Sequence, residues 1–515
     1  MKESKVMLKT AGFMAIATFL AKVCGLARDM LIAAFFGTGM EADAYLTATK
    51  LPTTLFDIVI GGVISAAFIP IFNSVLKKEG KDEALQFANR FIGMVLLITG
   101  LITLFGITFS DKLILFMAPD FDLNTHNLAM HLSSIMFPMI ICTGLAFSFV
   151  GILQSFGEYN IPAIMSLVSN LAVILYFFVF GKKFGVYGLA VTMLIAWGLQ
   201  VLIQVPSLIK FGFKFRPSIN FKDENVKSAL KLALPMLVST WVQPLYTIVN
   251  TRLASGIERG VSSLEYANRL YIVITGVFSF VITNLIFPKM SRAYVGGEED
   301  EAKNMLVTSM KAVTLIILPI TAVLAVLSKP VIALLYQHGG FTYADTLTTA
   351  GALSCYAFGM IALAYNEILS KSFFSMQNSK TPMINAIISM IANIVTAYIL
   401  SPIMGISGLA VAAATGSYVN AILNYIFMKK YYKTLLTKVD VFNMLKSLIA
   451  ALLMSALMTF IVKYMPFTDK TTLKNVIITL ILTVSSGFLL YAVLCFVLKI
   501  DILVNLLKKE TYDEK

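Results

Sequence analysis

The stretch that decides the fold runs from residue 22 to residue 57 and reads KVCGLARDMLIAAFFGTGMEADAYLTATKLPTTLFD. It is apolar enough for two helices that cross a membrane, yet charged side chains stand inside it. They include Lys22, Arg28, Asp29, Asp43, Lys50 and Asp57. An isolated charge at the bilayer centre costs about 2.5–3.5 kcal/mol on insertion scales. These residues therefore predict a wet or ligand-binding interior rather than helices that face only lipid.

The composition predicts an all-α polytopic membrane protein. Hydrophobic residues make up 58% of the 515 residues and charged residues 13%, whereas a soluble domain carries about 25% charge. Apolar segments long enough to cross about 30 Å of hydrocarbon recur along the whole chain. We predict 14 transmembrane helices, at about 8–34, 40–71, 86–109, 130–155, 160–181, 186–210, 228–254, 262–288, 304–327, 346–375, 381–402, 405–428, 441–465 and 473–498.

The basic residues predict the orientation of these spans. The net charge is +13, and Lys and Arg concentrate near the N-terminus, in alternate loops and in the C-terminal tail. By the positive-inside rule both termini are cytoplasmic, which an even number of spans requires. Lys182 and Lys183 are the exception. The basic excess indicates contact with anionic membrane lipids and not with nucleic acid, because no basic segment is interleaved with base-stacking aromatic residues.

An internal repeat divides the chain into two parallel halves. Gly188-Leu189-Ala190-Val191 recurs 220 residues later as Gly408-Leu409-Ala410-Val411, with matching prolines and glycines ahead of both copies. We predict two six-helix lobes, 1–215 and 216–435, followed by two C-terminal helices and a cytoplasmic tail in 436–515. Six spans is an even number, so the lobes have the same orientation, and transporters of this kind bind substrate between their halves near the bilayer midplane.

The charges within the spans are the candidate binding site. Lys50 and Arg269 occupy equivalent repeat positions, and Glu265 stands four residues before Arg269, a spacing that favours an ion pair. The candidate residues are Lys22, Arg28, Asp29, Asp43, Lys50, Arg252 and Arg269. Their basic excess suits a phosphate or pyrophosphate group, which Arg binds through a planar fork and Lys as a point charge. The alternative is that acids and bases neutralise one another as structural pairs.

Two small residues predict where the first helices bend. Pro52 lacks a backbone donor and is expected to bend or open the second span. Gly25, between Lys22 and Arg28, is expected to loosen the first span in the same way.

No enzyme motif is present in the sequence. It contains neither the phosphate-binding pattern GxxxxGK[ST] nor the zinc-binding pattern HExxH. The four cysteines stand singly, without metal or disulfide spacing. We therefore predict a transporter without cofactor or metal site, and leave open whether it is coupled to the membrane potential or to a monovalent cation.

Six short motifs resemble one bacterial family. They are GLARD at 25–29, FGTGMEADA at 36–44, KLP at 50–52, EYANRL at 265–270, QHGGFT at 337–342 and FSMQNSKTP at 374–382. Together they resemble the MurJ (MviN) lipid II flippases of the MOP exporter superfamily. The predicted number of fourteen spans also agrees with this resemblance.

The resemblance implies a function and a partner. The chain is expected to export lipid II, the undecaprenyl-pyrophosphate-linked precursor of peptidoglycan, across the bacterial cytoplasmic membrane by alternating access. It implies that Lys22, Arg28 and Arg269 are cationic residues of the substrate cavity, with Asp29 and Asp43 as acidic partners. It also implies that the last two spans form a groove for the polyprenyl tail. The cell-wall synthesis machinery is a further expected partner.

The chain departs from the family at two positions. Phe56 and Asp57 stand where many members carry paired arginines, so Lys50 or Arg252 is expected to substitute. Asn250 stands where some members use an acidic residue of a sodium site, which argues against sodium coupling.

Three alternatives stay open. A flippase for another undecaprenyl-pyrophosphate-linked glycan would keep the cationic residues and differ only in selectivity. A cation-coupled drug antiporter of the same fold would favour an acidic or aromatic cavity, against which five bases argue. A scaffold that transports nothing would tolerate the loss of Arg28.

Overall fold

The computed structural model describes residues 2–62, 64–220, 222–432 and 434–500, without the side chains of residues 2–11, 65–66, 233–240 and 277–285. Residues 501–515, the predicted cytoplasmic tail, lie outside the described residues. Every regular element in the described part of the chain is a helix, which confirms the all-α prediction.

The first half of the chain contains ten α-helices and one π-helical turn. They are α1 (Lys2–Phe36), α2 (Met40–Val59), the π-helix Ile64–Phe68, α3 (Ile69–Lys78), α4 (Lys81–Thr108), α5 (Ser110–Met117), α6 (Leu123–Met136), α7 (Met139–Ser155), α8 (Asn160–Val179), α9 (Gly181–Leu202) and α10 (Val205–Lys210). The second half continues with α11 (Glu224–Thr240), α12 (Val242–Ser255), α13 (Gly260–Val295), α14 (Glu299–Tyr336), α15 (Tyr343–Phe358), α16 (Met360–Ser375), α17 (Lys380–Met404), α18 (Ile406–Met428), α19 (Lys438–Tyr464) and α20 (Leu473–Val497).

Many of these helices are long and apolar enough to cross a membrane. Among the described residues eight qualify alone: α4, α8, α9 continued by α10, α14, α17, α18, α19 and α20. The pairs α6–α7 and α15–α16 qualify together and bend by 41° and 44°, which raises the number to 10. The prediction of a multi-pass membrane protein is therefore confirmed, whereas the number fourteen stays a prediction.

The internal repeat is visible in the backbone dihedral angles. Gly185 has φ 52° and ψ −145°, and Gly405, 220 residues later, has φ 58° and ψ −138°. Side chains other than glycine rarely adopt this region. Phe109 and Leu327, 218 residues apart, share a second departure from helical geometry, with φ near −105° and ψ of 17° and 19°. Both copies of the repeat therefore depart from helical geometry at equivalent positions.

The helix ends preceding α8 and α17 are also built alike. The backbone N–H of Glu158 donates to the carbonyl of Leu153, and that of Asn378 to the carbonyl of Phe373, both at 2.9 Å. The residue before each has a positive φ, 81° at the glycine of the first copy and 57° at Gln377. The side chains of Glu158 and Asn378 then accept backbone N–H groups at the start of the next helix, at 2.8 and 3.1 Å.

Helix α2 continues through Pro52, where the Thr53 hydroxyl donates to the Lys50 carbonyl at 2.9 Å, and ends at Val59. The bend expected at Pro52 stays a prediction. A break follows at Gly61 and Gly62, before the π-helix; Gly62 has φ 78° and a Cβ on Gly61 would lie 2.4 Å from a backbone oxygen. Glycine is required there by conformation and by space.

Gly25 lies where α1 packs on α8. Helix α1 continues through Gly25, and a Cβ at that position would lie 3.5 Å from the side-chain nitrogen of Asn170 in α8. The small residue therefore allows close packing of the two helices, and the loosening expected there stays a prediction.

The chain forms two compact units that divide between Ser262 and Ser263. In the first unit the core contains an aromatic cluster around Phe68 of the π-helix. Its ring centroid lies 5.5 Å from that of Phe72, 5.7 Å from Phe87 and 4.7 Å from Phe91, and all four side chains are buried. The cluster joins the break after α2 to α3 and α4.

In the second unit the C-terminal helices pack on α14. Met454 and Met458 of α19, Tyr491 of α20 and Leu327 of α14 belong to one buried cluster. The Tyr491 hydroxyl donates to the Leu315 carbonyl at 2.9 Å. The predicted lobe boundaries follow the repeat and stay predictions.

Candidate functional site

Arg28 is held by a charged acceptor and a neutral acceptor inside the first unit. Its Nε and Nη2 donate to Asp29 Oδ1 at 3.1 and 2.8 Å, and its Nη1 donates to Asn170 Oδ1 at 3.0 Å. The side chains of Arg28 and Asp29 are 15% and 10% exposed. A guanidinium has five N–H donors, so within the described residues two N–H groups of Arg28 remain available to an anion.

Asn170 is the site residue that the sequence reasoning missed. It is buried in the apolar helix α8, and its Nδ2 donates to the Ala21 carbonyl of α1 at 3.1 Å. This second bond fixes the direction of its carbonyl oxygen towards Arg28. The available signal was a lone asparagine in an apolar segment, a residue type that often bonds across helices in membranes. Lys22 lies half-buried on α1, six residues or about 1.7 turns before Arg28.

Asp43 is buried at the start of α2 and binds the start of α13. Its Oδ1 accepts the backbone N–H of Ser262 at 2.7 Å, and the Ser262 hydroxyl donates to the Thr38 carbonyl at 3.1 Å. The first N–H groups of a helix have no partner within the helix. The Asp43 carboxyl group, on another helix, therefore supplies a hydrogen-bond acceptor for one of these N–H groups, which is the geometry expected of a structural residue. Binding of substrate by Asp43 stays a prediction.

Lys50 and Asp57 follow Asp43 at two-turn intervals along α2, as the spacing predicts. Lys50 is half-buried, whereas Asp57 is exposed. Asp57 lines a cavity of about 320 Å³ between the end of α2 and helix α7, together with Phe56 and Gln154. The position at which the resemblance implies an arginine therefore presents an acid to a cavity inside the first unit.

Arg252 contacts the end of another helix. Its Nη1 donates to the carbonyl of Phe116, in the last turn of α5, at 2.8 Å. Basic side chains stabilise the last carbonyls of a helix and its negative dipole end. This contact gives Arg252 a structural role within the first unit.

Arg269 belongs to the second unit and forms the predicted pair on α13. Its Nε donates to Glu265 Oε1 at 2.9 Å, one helical turn away, which confirms the expected ion pair. The Arg269 side chain is 46% exposed and that of Glu265 is 11% exposed. The carboxylate thus orients the guanidinium from its Nε edge while nearly half of the arginine surface stays open.

The chemistry available to these residues is recognition of an anion. Within the described residues no group of three or more His, Cys, Asp or Glu side chains is arranged to hold a metal ion. Arg28 and Arg269 each present a guanidinium whose orientation is set by a carboxylate, a geometry suited to phosphate oxygens.

Two copies of a helical repeat with basic residues inside apolar helices define the class of polytopic membrane transporters. Within that class the family is shown by sequence: the model of the family described as Lipid II flippase MurJ matches residues 32–497. The chain belongs to the MurJ family of lipid II flippases.

Curated relatives match most of the chain. It is 30% identical to the probable lipid II flippase MurJ of Buchnera aphidicola subsp. Schizaphis graminum over 466 residues, which cover 89% of this chain and 90% of the relative. It is 31% identical to the probable lipid II flippase MurJ of Rhizobium meliloti, over 79% of this chain and 78% of the relative. The lipid II flippase MurJ of Burkholderia cenocepacia is 27% identical over 83% of this chain and 84% of its own length.

Solved structures agree with this family. A lipid II flippase MurJ in an inward closed conformation is 26% identical, with a TM-score of 0.81 over 95% of this chain and 99% of that chain. An inward-facing multidrug resistance transporter of the MATE family and MOP superfamily is 18% identical, with a TM-score of 0.67 over 81% of this chain and 95% of that chain; this likeness concerns the fold alone.

The comparisons confirm the resemblance to MurJ and the prediction of a transporter rather than an enzyme. Asp43, Lys50, Arg252 and Arg269 lie inside the range that the family model matches, whereas Lys22, Arg28 and Asp29 precede it. The binding roles of all seven residues remain predictions.

Proposed function

We propose that this protein exports lipid II from the inner to the outer leaflet of the bacterial cytoplasmic membrane by alternating access. Membership of the lipid II flippase MurJ family is the observation that carries the proposal. The two oriented guanidinium groups of Arg28 and Arg269 support it, because the substrate's pyrophosphate is the anion that such groups bind well.

The proposed pyrophosphate ligands are Lys22, Arg28 and Arg269, with Lys50 or Arg252 as the further cation. Asp29 and Glu265 orient the arginines. Binding of the anion compensates the cost of holding the basic groups away from water.

We propose fourteen spans with both termini in the cytoplasm. The four crossings beyond the ten apolar ones are α1, α2 with α3, α11 with α12, and α13. These segments hold the candidate charges, and charge lowers the hydropathy by which a span is recognised. Their length supports the proposal: α1 has 35 residues and α13 has 36, and about 20 suffice to cross the hydrocarbon.

We propose that transport uses no cofactor and is driven by the membrane potential or by a monovalent cation gradient. The potential supplies about 2.3 kcal/mol per transported charge per 100 mV. Collapse of the potential at constant sodium, and removal of sodium at constant potential, separate the two sources. The cell-wall synthesis machinery is the proposed recipient of the exported precursor.

The test is rescue of growth in a bacterium depleted of its own lipid II flippase. Wild type is expected to rescue, and Arg28→Ala and Arg269→Ala are expected to fail at equal membrane abundance. Arg292→Ala is the matched control, because Arg292 is an exposed basic residue on the same helix as Arg269. Arg28→Lys keeps the charge without the fork, and is expected to rescue partially.

The outcomes separate the candidate functions. If well-inserted wild type fails to rescue, lipid II is not the substrate and another undecaprenyl-pyrophosphate-linked glycan takes its place. If both alanine variants rescue like wild type, the charges are structural pairs and the proposed binding site is wrong.

A further inference from the structure

The linker between α10 and α11, residues 211–223, is ordered against α4 where the structure describes it. Asn89 of α4 makes three bonds to it. Its Nδ2 donates to the Lys214 carbonyl at 3.0 Å, and its Oδ1 accepts the Arg216 N–H at 2.7 Å. Its backbone carbonyl accepts the N–H of Ser218 at 3.3 Å. Asn89 thus holds every second residue of the segment from Lys214 to Ser218 through its side chain and its backbone carbonyl.

Two further contacts fasten the linker. A Cβ on Gly93 would lie 2.2 Å from the Ser218 carbonyl oxygen, so only glycine allows the observed approach. Arg90 forms an ion pair with Asp223 at 2.6 Å. The same Asp223 accepts the Val226 N–H at 2.9 Å and so caps α11. The linker is therefore fixed at both of its ends and along its middle.

The outward side of the linker mixes apolar and basic side chains. Phe215 and Ile219 are 51% and 54% exposed, and Ile209 of α10 is 65% exposed. From residue 205 to residue 222 the sequence has no acidic residue and four basic ones: Lys210, Lys214, Arg216 and Lys222. All four are exposed, and within the described residues none of the four forms an ion pair.

The length of α4 indicates the depth of the linker. Its 28 residues span roughly 42 Å at 1.5 Å per residue, about 12 Å more than the hydrocarbon layer. The excess corresponds to roughly eight residues. Asn89 is the ninth residue of α4, counted from Lys81. If the excess projects at the end that begins α4, Asn89 and the linker lie at the boundary between hydrocarbon and head groups.

We propose that the linker is a preformed binding surface for anionic phospholipids of the leaflet at this end of the helices. The basic side chains bind the lipid phosphates, and Phe215 and Ile219 insert among the upper acyl chains. The interleaved apolar side chains favour a lipid over a free anion, which would leave them in water. This site is separate from the proposed pyrophosphate ligands and does not depend on the transported substrate.

Limited chymotrypsin digestion of the full chain in nanodiscs tests the proposal. Cleavage after Phe215 is followed in phosphatidylcholine alone and with about one third phosphatidylglycerol, and is normalised to cleavage after Phe467 in the connection between α19 and α20. Anionic lipid is expected to slow cleavage after Phe215 by about tenfold or more, since each basic residue near an anionic surface contributes about fivefold in affinity. Inorganic phosphate added to phosphatidylcholine nanodiscs is expected to give no protection.

Variants identify the residues responsible. Lys214→Gln with Arg216→Gln is expected to lose the protection, whereas Lys182→Gln with Lys183→Gln, an equal charge loss at the start of α9, keeps it. Gly93→Ala is expected to speed cleavage in both lipids, and Gly100→Ala, on the same helix with open space around it, leaves the rate unchanged. Equal wild-type rates in both lipids, undiminished protection of the Lys214 and Arg216 double variant, or protection by phosphate alone would each overturn the proposal.

Discussion

Arg28 shows how a basic residue is kept available inside an apolar helix. Asp29 balances its charge, and Asn170 directs its Nη1 without adding a second negative charge. Burial of a charge without a partner is costly, and removal of one partner of a buried pair leaves that cost uncompensated. A neutral amide is the acceptor that positions a guanidinium while preserving its attraction for an anion.

Asn170→Asp tests this arrangement. The new carboxylate is expected to pair with Arg28 and reduce export by about tenfold or more, because charge-assisted bonds are about twice as strong as neutral ones. Asn170→Ala removes only the positioning bond and is expected to reduce export less. Growth rescue and membrane abundance are measured for both. Equal rescue by Asn170→Asp and wild type would contradict the role given to this amide.

Asp43 is expected to act on stability more than on transport. Asp43→Ala removes the buried acceptor of the Ser262 N–H and is expected to cost about 1–3 kcal/mol of stability. Asp43→Asn keeps an acceptor and is expected to cost less and to support growth. Thermal unfolding in detergent, read beside growth rescue, decides between the roles. Loss of growth in Asp43→Asn at unchanged stability would assign Asp43 to substrate binding instead.

At the scale of the elements, the helices bend at positions that recur in both copies of the repeat. Gly185 in α9 and Gly405 before α18 share one unusual backbone conformation. Phe109 after α4 and Leu327 within α14 share a second departure from helical geometry. A bend needs either a residue without a Cβ or a local loss of helical bonding. Because the bends recur in both copies, they indicate a feature of the repeat fold and not an adaptation of one copy to a substrate.

Gly185→Ala and Gly405→Ala are expected to destabilise the protein by about 1–3 kcal/mol each, because alanine is strained at their positive φ. Gly198→Ala is the matched control on α9, where a Cβ has open space and the backbone is helical. That change is expected to be neutral or slightly stabilising. The apparent melting temperature in detergent is the measurement, and equal values for Gly185→Ala and Gly198→Ala would refute the argument from backbone strain.

At the scale of the whole molecule, the proposed duplication of a six-span unit, followed by two added helices, accounts for the distribution of charge. Basic loops alternate with loops of low basic content, and the candidate binding residues lie in the first two helical segments of each copy. Duplication in the same orientation places equivalent cations, Lys50 and Arg269, at equivalent positions along their helices.

Fusions to reporter proteins test the fourteen spans. Green fluorescent protein at the C-terminus is expected to fluoresce, since it folds in the cytoplasm, and alkaline phosphatase fused after Lys470 is expected to be active outside. A phosphatase fusion after Lys214 is expected to be inactive. An active phosphatase fused to the C-terminus would place that terminus outside the cytoplasm and overturn the proposed topology.

The sequence by itself determined the membrane class, the repeat and the Glu265–Arg269 pair. Each follows from local composition or from a fixed spacing along one helix, which the chain carries in its order of residues. The sequence also indicated which charged residues are unusual, because the free-energy cost of inserting a charged side chain into an apolar membrane segment follows from the residue type.

Tertiary structure decided the partners of those charges and the place of the break after α2. Arg28 meets Asn170 across 142 residues and Asp43 meets Ser262 across 219, and Arg252 binds a backbone carbonyl, which no residue type reveals. The break after α2 falls at Gly61 and Gly62, directly before the π-helix. Such contacts depend on which helices pack together, and that choice is made by the whole fold.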